Sequence, residues 1–537
     1  MSQNSLSGLG SQRVFSIPEL ATRVLDFSAS RDHARLLRTC RMLYKIAIPY
    51  VWEEVDDARH LLLLLDRASD HPIWSAEKTE SPNVNIAWVA ERSHPFTRFD
   101  IYAPYVKSLD VYGRKRKHFK VIGWKVLITR ARNQALLPNL HTLIIQTSCD
   151  SHGPDQPMWA AAFASPSLVN LSIIPSKPGE TPTISWAAAS VLMKHVLPFA
   201  SKLQKIGLFP DDDVGSYIKD GESHFLAMLS EDPFYEYVRS ATNLRHLSGS
   251  LAWTDDKSLL ILGQLPYLET ITLSGADEIR VNKFKLPTDF FPSLHSLHLH
   301  SMHPLFAEQM LWIKSLLKGL TSLDLHLHMD MLDDSEVSRD EWLITEFFPC
   351  LANAPRVEKL KIHLEEDTKP EPYGIGESAL DILSDLPLQC LQLRGLVLDS
   401  EALQMDLDNI WPSLTHLEIL ERSVSLAGLP RFVAIPCLQH LELQLDLRRE
   451  TLPELSGLGE SNLTTLVTSK GGKVCSKFAD VDFVARALLS IAPNLTCVTW
   501  PTPEGSAPKN EVRQHECVEF LNGQLSSLRE INKLRSM

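Results

Sequence analysis

Histidine, acidic and basic residues alternate with leucine or isoleucine in several short segments of this chain. The clearest segments are Ser296-Leu-His-Leu-His300, Ser322-Leu-Asp-Leu-His326 and Lys359-Leu-Lys-Ile-His363. If each segment is a strand, its polar residues share one face, because successive side chains of a strand point to opposite faces. Imidazole groups beside a carboxylate could bind a metal ion, sense pH or take part in acid–base catalysis.

Later segments extend the same polar pattern, and together they give twelve candidate residues for binding a protein substrate. These are His298, His300, Asp324, His326, Lys359, Lys361, His363, Arg394, His416, Glu418, His440 and Glu442. If neighbouring strands stack in register, His300, His326 and His363 form one row, and His298 lies beside Asp324. In the same register, His416 lies beside His440.

Two interpretations of these polar positions are open. One is a site that binds a metal or senses pH, and the other is an exposed strand face that is simply rich in histidine. No nucleophile accompanies the imidazole groups, so we predict that the chain is not an enzyme. We assign no metal site and no cofactor.

A repeat must position these residues. An apolar residue followed at +3 and +5 by two more, often after proline, recurs from about residue 105 to 500, as in Pro292-Ser-Leu-His-Ser-Leu-His-Leu299. The first leucines of two series lie 24, 26 and 26 residues apart, and then 26, 24 and 25 residues apart. This period and this spacing are typical of leucine-rich repeats. The two series begin at Leu244, Leu268, Leu294 and Leu320, and at Leu388, Leu414, Leu438 and Leu463.

The repeat predicts an α/β fold: an irregular leucine-rich-repeat solenoid, or horseshoe, with one short parallel strand per repeat. An intervening helix or turn in each repeat covers one side of the sheet, and the other, concave face carries the polar residues. The asparagine or cysteine that usually follows the strand is mostly missing, so the repeats are irregular. We predict that eight strand residues are buried: Leu297, Leu299, Leu323, Leu325, Leu417, Ile419, Leu441 and Leu443.

Composition excludes several classes of protein. The chain has 537 residues, of which 44% are hydrophobic and 22% charged, and a net charge of −13. An acidic chain is unlike a general nucleic-acid binder, which usually carries a basic surface. We find no apolar run of the ~20 residues that a membrane span needs. The first 15 residues are polar and small, so we expect no secretion signal, and the eight scattered cysteines indicate reduced, mostly buried thiols.

Residues 14–56 differ from the repeats. Ser16-Ile-Pro-Glu19 resembles a capping box that begins a helix, and a second helix is predicted from Ser30 or Asp32 to Pro49. The landmarks are Ile17-Pro-Glu-Leu20, Val24-Leu25, Arg35-Leu-Leu-Arg-Thr-Cys-Arg41, Leu43-Tyr44 and Trp52. In this order and spacing they resemble an F-box. Asp32-His33-Ala34 departs from the pattern, which usually has apolar residues there.

The resemblance implies a function. An F-box followed by leucine-rich repeats is similar to the substrate receptors of cullin-type ubiquitin ligases, especially those of mushroom-type fungi. It implies that the F-box binds a Skp-type adaptor of the cullin ligase core, while the repeats bind an unknown protein substrate. The implied adaptor-binding residues are Ile17, Pro18, Leu20, Val24, Leu25, Leu36, Leu37, Cys40, Leu43, Tyr44 and Trp52. The alternatives are a helical cap of the solenoid and a stand-alone interaction scaffold.

We predict five segments: a disordered stretch 1–13, an F-box-like module 14–56, a linker or first solenoid turns 57–104, the solenoid 105–505, and a C-terminal helical cap 506–537. Residues 114–120 are a basic run, either a nuclear import signal or phosphate contact, or a solvated loop. Residues 211–213 and 365–367 are predicted to be exposed acidic turns. We expect the chain in the cytoplasm, the nucleus or both, with no nucleic-acid or membrane partner.

Overall fold

The computed structural model describes fifteen stretches of the chain. Two compact units divide the chain after Leu268, called here unit 1 and unit 2. The predicted disordered stretch 1–13, residues 114–118 of the basic run, Asp212, Asp213 and Asp367 lie outside the described residues. The described residues are 17–66, 68–72, 82–87, 89, 94–113, 119–147, 155–175, 184–211, 233–275, 286–332, 338–366, 372–447, 461–468, 480–500 and 509–536.

Unit 1 contains a parallel sheet of short strands, and each strand after the first corresponds to one copy of the leucine pattern. In spatial order they are β1 (Glu54–Val55), β4 (Ser108–Asp110), β6 (Thr142–Thr147), β7 (Asn170–Pro175), β9 (Lys205–Leu208) and β11 (His246–Gly249). A three-stranded sheet joins β2 (Ser69–Pro72), β3 (Pro82–Asn85) and β5 (Lys120–Ile122), and a parallel pair joins β8 (Ile184–Ser185) and β10 (Pro210–Asp211). Of these pairings, β2 with β3 is antiparallel.

Unit 2 continues the same construction with longer strands. Its parallel sheet follows chain order: β12 (Thr270–Ser274), β13 (Ser296–Met302), β14 (Ser322–His328), β15 (Lys359–Glu365), β17 (Cys390–Arg394), β19 (His416–Ser425), β20 (His440–Asp446), β21 (Thr465–Thr468) and β22 (Cys497–Thr499). A separate parallel pair joins β16 (Tyr373–Ile375) and β18 (Leu396–Leu398). The predicted α/β architecture, with one parallel strand per repeat, is confirmed.

Strand register follows the leucine pattern, because each repeat places one apolar residue at the same level of the sheet. In unit 2 this produces a buried ladder whose members are in register: Ile271, Leu297, Leu323, Leu360, Leu391, Leu417, Leu441, Leu466 and Val498. All eight strand residues predicted to be buried are at most 3% exposed. Unit 1 has a ladder of the same kind, from Val55 to Leu247.

Helices occupy the connections between strands. In unit 1 they are α1 (Pro18–Asp26), α2 (Ser30–Leu36), α3 (Arg41–Trp52), α4 (Arg59–Leu62), α5 (Thr97–Tyr102), α6 (Trp124–Asn133), α7 (Asp155–Phe163), α8 (Trp186–Val196), α9 (Phe234–Val238) and α10 (Asp256–Leu262). Helix α7 has a buried side, on which the Trp159 indole Nε1 donates a hydrogen bond of 3.1 Å to the Tyr112 hydroxyl. Short 3-10 helices span Ala103–Tyr105 and Leu251–Thr254.

Unit 2 has helices α11 (Pro304–Leu311), α12 (Lys314–Leu317), α13 (Arg339–Trp342), α14 (Phe348–Leu351), α15 (Glu377–Ser384), α16 (Leu407–Ile410), α17 (Leu429–Val433), α18 (Val481–Ile491) and α19 (Lys509–Ser536). A π-helical turn spans Leu343–Phe347, and 3-10 turns span Met329–Met331 and Ala402–Gln404. Helix α19 lies against β22, where the Asn522 side chain donates to the Val498 carbonyl and accepts from its N–H, both at 2.8 Å. An exposed strand edge would invite pairing with other chains, and the helix covers part of this one.

The prediction of one long second helix in the N-terminal module is wrong. The chain instead forms α2 and α3, separated by a turn at residues 37–40. In this turn the Thr39 hydroxyl donates a 2.8 Å hydrogen bond to the Leu36 carbonyl, the kind of local bond that competes with a continuing helix. Pro49 does not end α3, which loses one backbone hydrogen bond there and continues to Trp52.

Three short strands lie in the two predicted segments that precede the solenoid. Strand β1 falls inside the predicted module 14–56 and pairs with β4 of the repeat sheet. Strands β2 and β3 lie in 57–104, predicted as a linker or first solenoid turns. Among the described residues, no helix is both long enough and apolar enough to cross a membrane. Of the six described cysteines only Cys350 and Cys517 are buried, so the prediction of mostly buried thiols is wrong for this set.

Candidate functional site

The twelve candidate substrate-binding residues lie on one side of the unit 2 sheet, called here the polar face. Each alternates with buried apolar residues of strands β13, β14, β15, β17, β19 and β20, which is why the sequence pattern could find them. Lys359, Lys361, Arg394 and His416 are exposed, and Glu418 is buried. The other seven are half-buried. Their role in binding a substrate stays a prediction.

His298, His300 and Asp324 form the first cluster on the polar face. The predicted pair is present: His298 Nδ1 lies 3.4 Å from Asp324 Oδ2, and the two residues are in register. The His300 ring is stacked over the His298 ring, with centroids 6.0 Å apart. Ser296, which sequence reasoning did not select, places its Oγ 2.8 Å from His298 Nε2. Its position two residues before His298 on the same strand face was the available signal.

The predicted row of three histidines is interrupted. His326 and His363 are in register, but the pairing of β13 with β14 shifts between Leu299 and Met302. Ser301 there adopts a left-handed backbone with φ of 54°, which a non-glycine residue seldom does. In this bulge two residues, His300 and Ser301, face the single residue His326, so the regular pairing along the row is lost. His326 still lies near enough to lower the pKa of His300, which is grouped with His298 and Asp324.

His326 belongs to a second cluster. Its ring stacks on His363 at a centroid distance of 4.2 Å, and its Nε2 lies 2.9 Å from Glu365 Oε2. His328 Nδ1 lies 3.5 Å from the same oxygen. The prediction that Glu365 belongs to a turn is wrong, because it is the last residue of β15 and is in register with His328. Glu366 is not an exposed turn residue either, because Arg339 pairs with it.

Burial controls the ionisation of these imidazoles. It lowers the pKa of His300 and of His363, and the neighbouring His326 lowers the pKa of His363 further. Burial raises the pKa of Asp324, but the hydrogen bond from His298 and nearby positive charges more than reverse this, so its pKa is lowered overall. The first cluster therefore combines the neutral imidazole of His300 with the ionised carboxylate of Asp324 near neutral pH.

A third cluster joins β17, β19 and β20. Arg394 donates to Glu418 at 2.7 and 2.9 Å, and Glu418 is in register with Glu442. Burial raises the pKa of Glu442, and the charge of Glu418 raises it further. At the start of the same strands the rings of His416 and His440 are stacked at 5.4 Å, as predicted. Burial and the neighbouring His416 lower the pKa of His440.

The eleven implied adaptor-binding residues divide into exposed, half-buried and buried groups. Ile17, Leu20, Val24 and Cys40 are exposed, Leu36, Leu37, Tyr44 and Trp52 are half-buried, and Leu25 and Leu43 are buried. The side chain of Pro18 lies outside the described residues. Sequence reasoning left out Phe27, which is 84% exposed although it follows Val24 at helical spacing.

Helix α3 attaches the N-terminal helices to the repeats of unit 1. The Tyr44 hydroxyl donates to the Tyr102 hydroxyl at 3.3 Å, and the Trp52 ring lies 4.6 Å from the Tyr102 ring. The hydrogen bond with Tyr102, together with burial, raises the pKa of Tyr44 to about 12. Beside them, Lys107 Nζ bonds Glu53 at 2.8 Å. Tyr44 and Trp52 therefore support the helices from the side of the repeats.

Comparisons with known proteins bear on the fold alone. No family model matches the chain, and the comparison with curated proteins gives no match. Similar solved structures include an internalin from Listeria monocytogenes, with 15% identity, a TM-score of 0.33, and coverage of 68% of this chain and 82% of that one. Another is the leucine-rich repeat-containing protein LegL7 from Legionella pneumophila, with 13% identity, a TM-score of 0.29, and coverage of 70% and 98%.

A third is TLR13 in its complex with ssRNA13, with 14% identity, a TM-score of 0.28, and coverage of 70% of this chain and 59% of that one. At such scores the assignment of the fold rests on this chain itself. Its parallel strands, its repeat spacing and its leucine ladders are those of a leucine-rich-repeat protein.

Proposed function

We propose that this chain is the substrate-binding adaptor of a cullin-type ubiquitin ligase. Helices α1–α3 bind a Skp-type adaptor, and the polar face of unit 2 binds the protein substrate. The observation that carries the proposal is the apolar surface of α1. Ile17, Leu20, Val24 and Phe27 are 45%, 44%, 38% and 84% exposed.

These four residues have the spacing of one helical surface, since they lie three or four positions apart. The neighbouring side of α1 is apolar as well, because Ala21 and Leu25 are buried. The helix packs against α3. Burying one leucine contributes about 1.5–3 kcal/mol. A chain that leaves a row of four such side chains in water gives up this stabilisation, unless a partner covers them.

The three helices are held firmly enough to present this surface. His33 Nε2 lies 2.9 Å from the Leu25 carbonyl, which joins α2 to α1. The Tyr50 hydroxyl donates to Asp26 at 2.9 Å, which joins α3 to the end of α1. Because α3 is in turn bonded to Tyr102 of unit 1, a partner that docks on α1 meets a preorganised surface. Preorganisation lowers the entropy lost on binding.

The polar face suits protein recognition for a similar reason. Several of its side chains already form pairs, such as Arg394 with Glu418 and His326 with Glu365, so their conformations are restricted before a substrate binds. Lys359 and Lys361 are exposed on β15, the strand between β14, which carries His326, and β17, which carries Arg394. Such a mixed surface selects partners by complementary charge more than by buried area. This proposal includes no catalytic step in the chain itself.

The rival function is a stand-alone interaction scaffold whose N-terminal helices only cap the sheet. One observation favours it: β1, directly after α3, pairs with β4 and so extends the repeat sheet. In that case the helices would contribute to the stability of unit 1. Their exposed residues would bind no adaptor.

The two functions are separated by a binding measurement with a purified Skp-type adaptor. Leu20→Asp should weaken binding at least 10-fold, because it would bury a carboxylate in an apolar interface. Leu305→Asp is the matched control, since Leu305 is also a half-exposed leucine, 42% exposed, but lies on α11, far from α1 in the sequence. It should leave binding unchanged, and both variants should keep the melting temperature of the wild type.

Equal binding by the two variants would refute the proposed docking surface. Absence of adaptor binding by the wild type would favour the stand-alone scaffold. A large fall in melting temperature for Leu20→Asp alone would show that α1 serves the stability of the repeats, as a cap would.

A further inference from the structure

We propose that His298, His300 and Asp324 form a binding site for one zinc ion on the polar face. One ligand atom from each residue lies within 4.8 Å of the other two. Among the described residues this is the one such group of three. The site is independent of the proposed ligase role, because it needs only side chains of this chain.

The distances fit zinc. A tetrahedral zinc ion binds nitrogen and oxygen at about 2.1 Å, which places two of its ligand atoms about 3.4 Å apart. His298 Nδ1 and Asp324 Oδ2 are 3.4 Å apart. His300, two residues after His298 on the same strand face, supplies the third ligand after a small side-chain rotation.

The backbone is shaped to bring His300 to this cluster. The strand gains an extra residue directly after His300, where the register shifts beyond Leu299 and Ser301 is left-handed. The His300 ring stacks on the His298 ring at this point. A non-glycine residue in this conformation is unfavourable by roughly 1–3 kcal/mol and is found most often at functional positions.

A supporting hydrogen bond orients the first ligand. In metal sites a ligand histidine usually bonds through its second ring nitrogen to a neighbouring group, which fixes the orientation of the ring. Here the Ser296 hydroxyl lies 2.8 Å from His298 Nε2, which leaves Nδ1 directed toward Asp324. Ser296 is itself buried, so water competes little for this bond.

The type of ligand selects the ion. Imidazole nitrogen is a good ligand for zinc and a poor one for calcium and magnesium, which take oxygen ligands. Three protein ligands leave the fourth position of a tetrahedral ion open. Water fills that position in the free chain, and a side chain of a bound partner can replace it. Lys361, opposite Asp324 on β15, is exposed, so its charge is screened by water.

The test is zinc binding by the full-length chain, purified without a histidine tag and freed of metal with a chelator. Competition with a chromogenic zinc chelator measures affinity and stoichiometry. Cobalt gives visible absorption bands that report tetrahedral coordination. We expect one zinc per chain at the site. His298→Gln and Asp324→Asn should each weaken binding at least 10-fold and abolish the tetrahedral cobalt bands.

His326→Gln is the matched control, because His326 follows Asp324 by two residues on β14 and lies on the same face. It should bind zinc as the wild type does. His300→Gln provides a further variant if another folds poorly, and circular dichroism checks each. Absence of binding by the wild type, unchanged binding by the three ligand variants, or loss of binding in His326→Gln alone would overturn the proposal. Adaptor binding is not part of this measurement, so the two proposals fail separately.

Discussion

Replacing Leu441 by alanine tests the register on which every site assignment in unit 2 depends. Leu441 is fully buried and stands in the ladder between Leu417 and Leu466, which are also fully buried. Both neighbours on the polar side of β20, His440 and Glu442, keep their positions only if Leu441 points inward. The variant therefore probes the strand as well as the core.

The expected loss follows from two contributions. Removing three carbon atoms loses about 2.4 kcal/mol of transfer free energy, at about 0.8 kcal/mol for each. If the neighbours close only part of the gap, a cavity of roughly 50 Å³ adds about 1.2 kcal/mol, at about 24 cal/mol per Å³. We expect Leu441→Ala to lower the free energy of unfolding by about 3–4 kcal/mol, within the range of about 2–5 kcal/mol for such changes.

Urea unfolding followed by circular dichroism measures this loss. Neighbouring repeats can open separately, so hydrogen exchange in β19, β20 and β21 should accompany it. Leu305→Ala is the control, because Leu305 is 42% exposed and should lose less than about 1 kcal/mol. A loss below about 1 kcal/mol for Leu441→Ala, or equal losses for the two variants, would refute the assigned register.

Three further changes test local electrostatics and backbone geometry. Because the pKa of Glu442 is raised in the folded chain, the ionised form of Glu442 lowers the stability of the chain above that pKa. Glu442→Gln should therefore stabilise the chain at pH 7. In urea unfolding this gain should vanish as the pH falls toward the ordinary glutamate pKa of about 4.3. Destabilisation at pH 7 would contradict this. Gly395→Ala should lose about 2 kcal/mol or more, because φ is +70° and the new Cβ would lie 2.2 Å from the Leu364 carbonyl oxygen. Gly523 lies in the middle of α19, where a new Cβ would meet no neighbouring residue within 4 Å. Gly523→Ala should therefore raise the free energy of unfolding by up to about 1 kcal/mol in the same assay.

The repeat was predictable because one physical rule governs it at every copy. A residue three positions after the first leucine and another two positions later must share the buried side of a strand. The ladder through Leu297, Leu323 and Leu417 follows from that rule alone, as do the pairs His298–Asp324 and His416–His440. The rule contains no information on where a strand gains an extra residue. Hence the bulge at Ser301, and the position of His300 that follows from it, could not be derived from spacing.

Helix α1 shows the corresponding limit outside the repeats. Its apolar residues cover more than one side, so periodicity does not decide whether Leu25 or Leu20 faces the protein. Packing against α3 decides it: Leu25 is 1% exposed, whereas Leu20 is 44% exposed. The same packing leaves Phe27 exposed to water. Phe27 is not among the adaptor-binding residues that the F-box resemblance implies. A residue set chosen by spacing therefore mixes side chains that support the helix with side chains that can meet a partner. Changes in the second group, Ile17, Leu20, Val24 and Phe27, should weaken the proposed adaptor binding without loss of stability, and for that reason Leu20 and not Leu25 is the informative position to change.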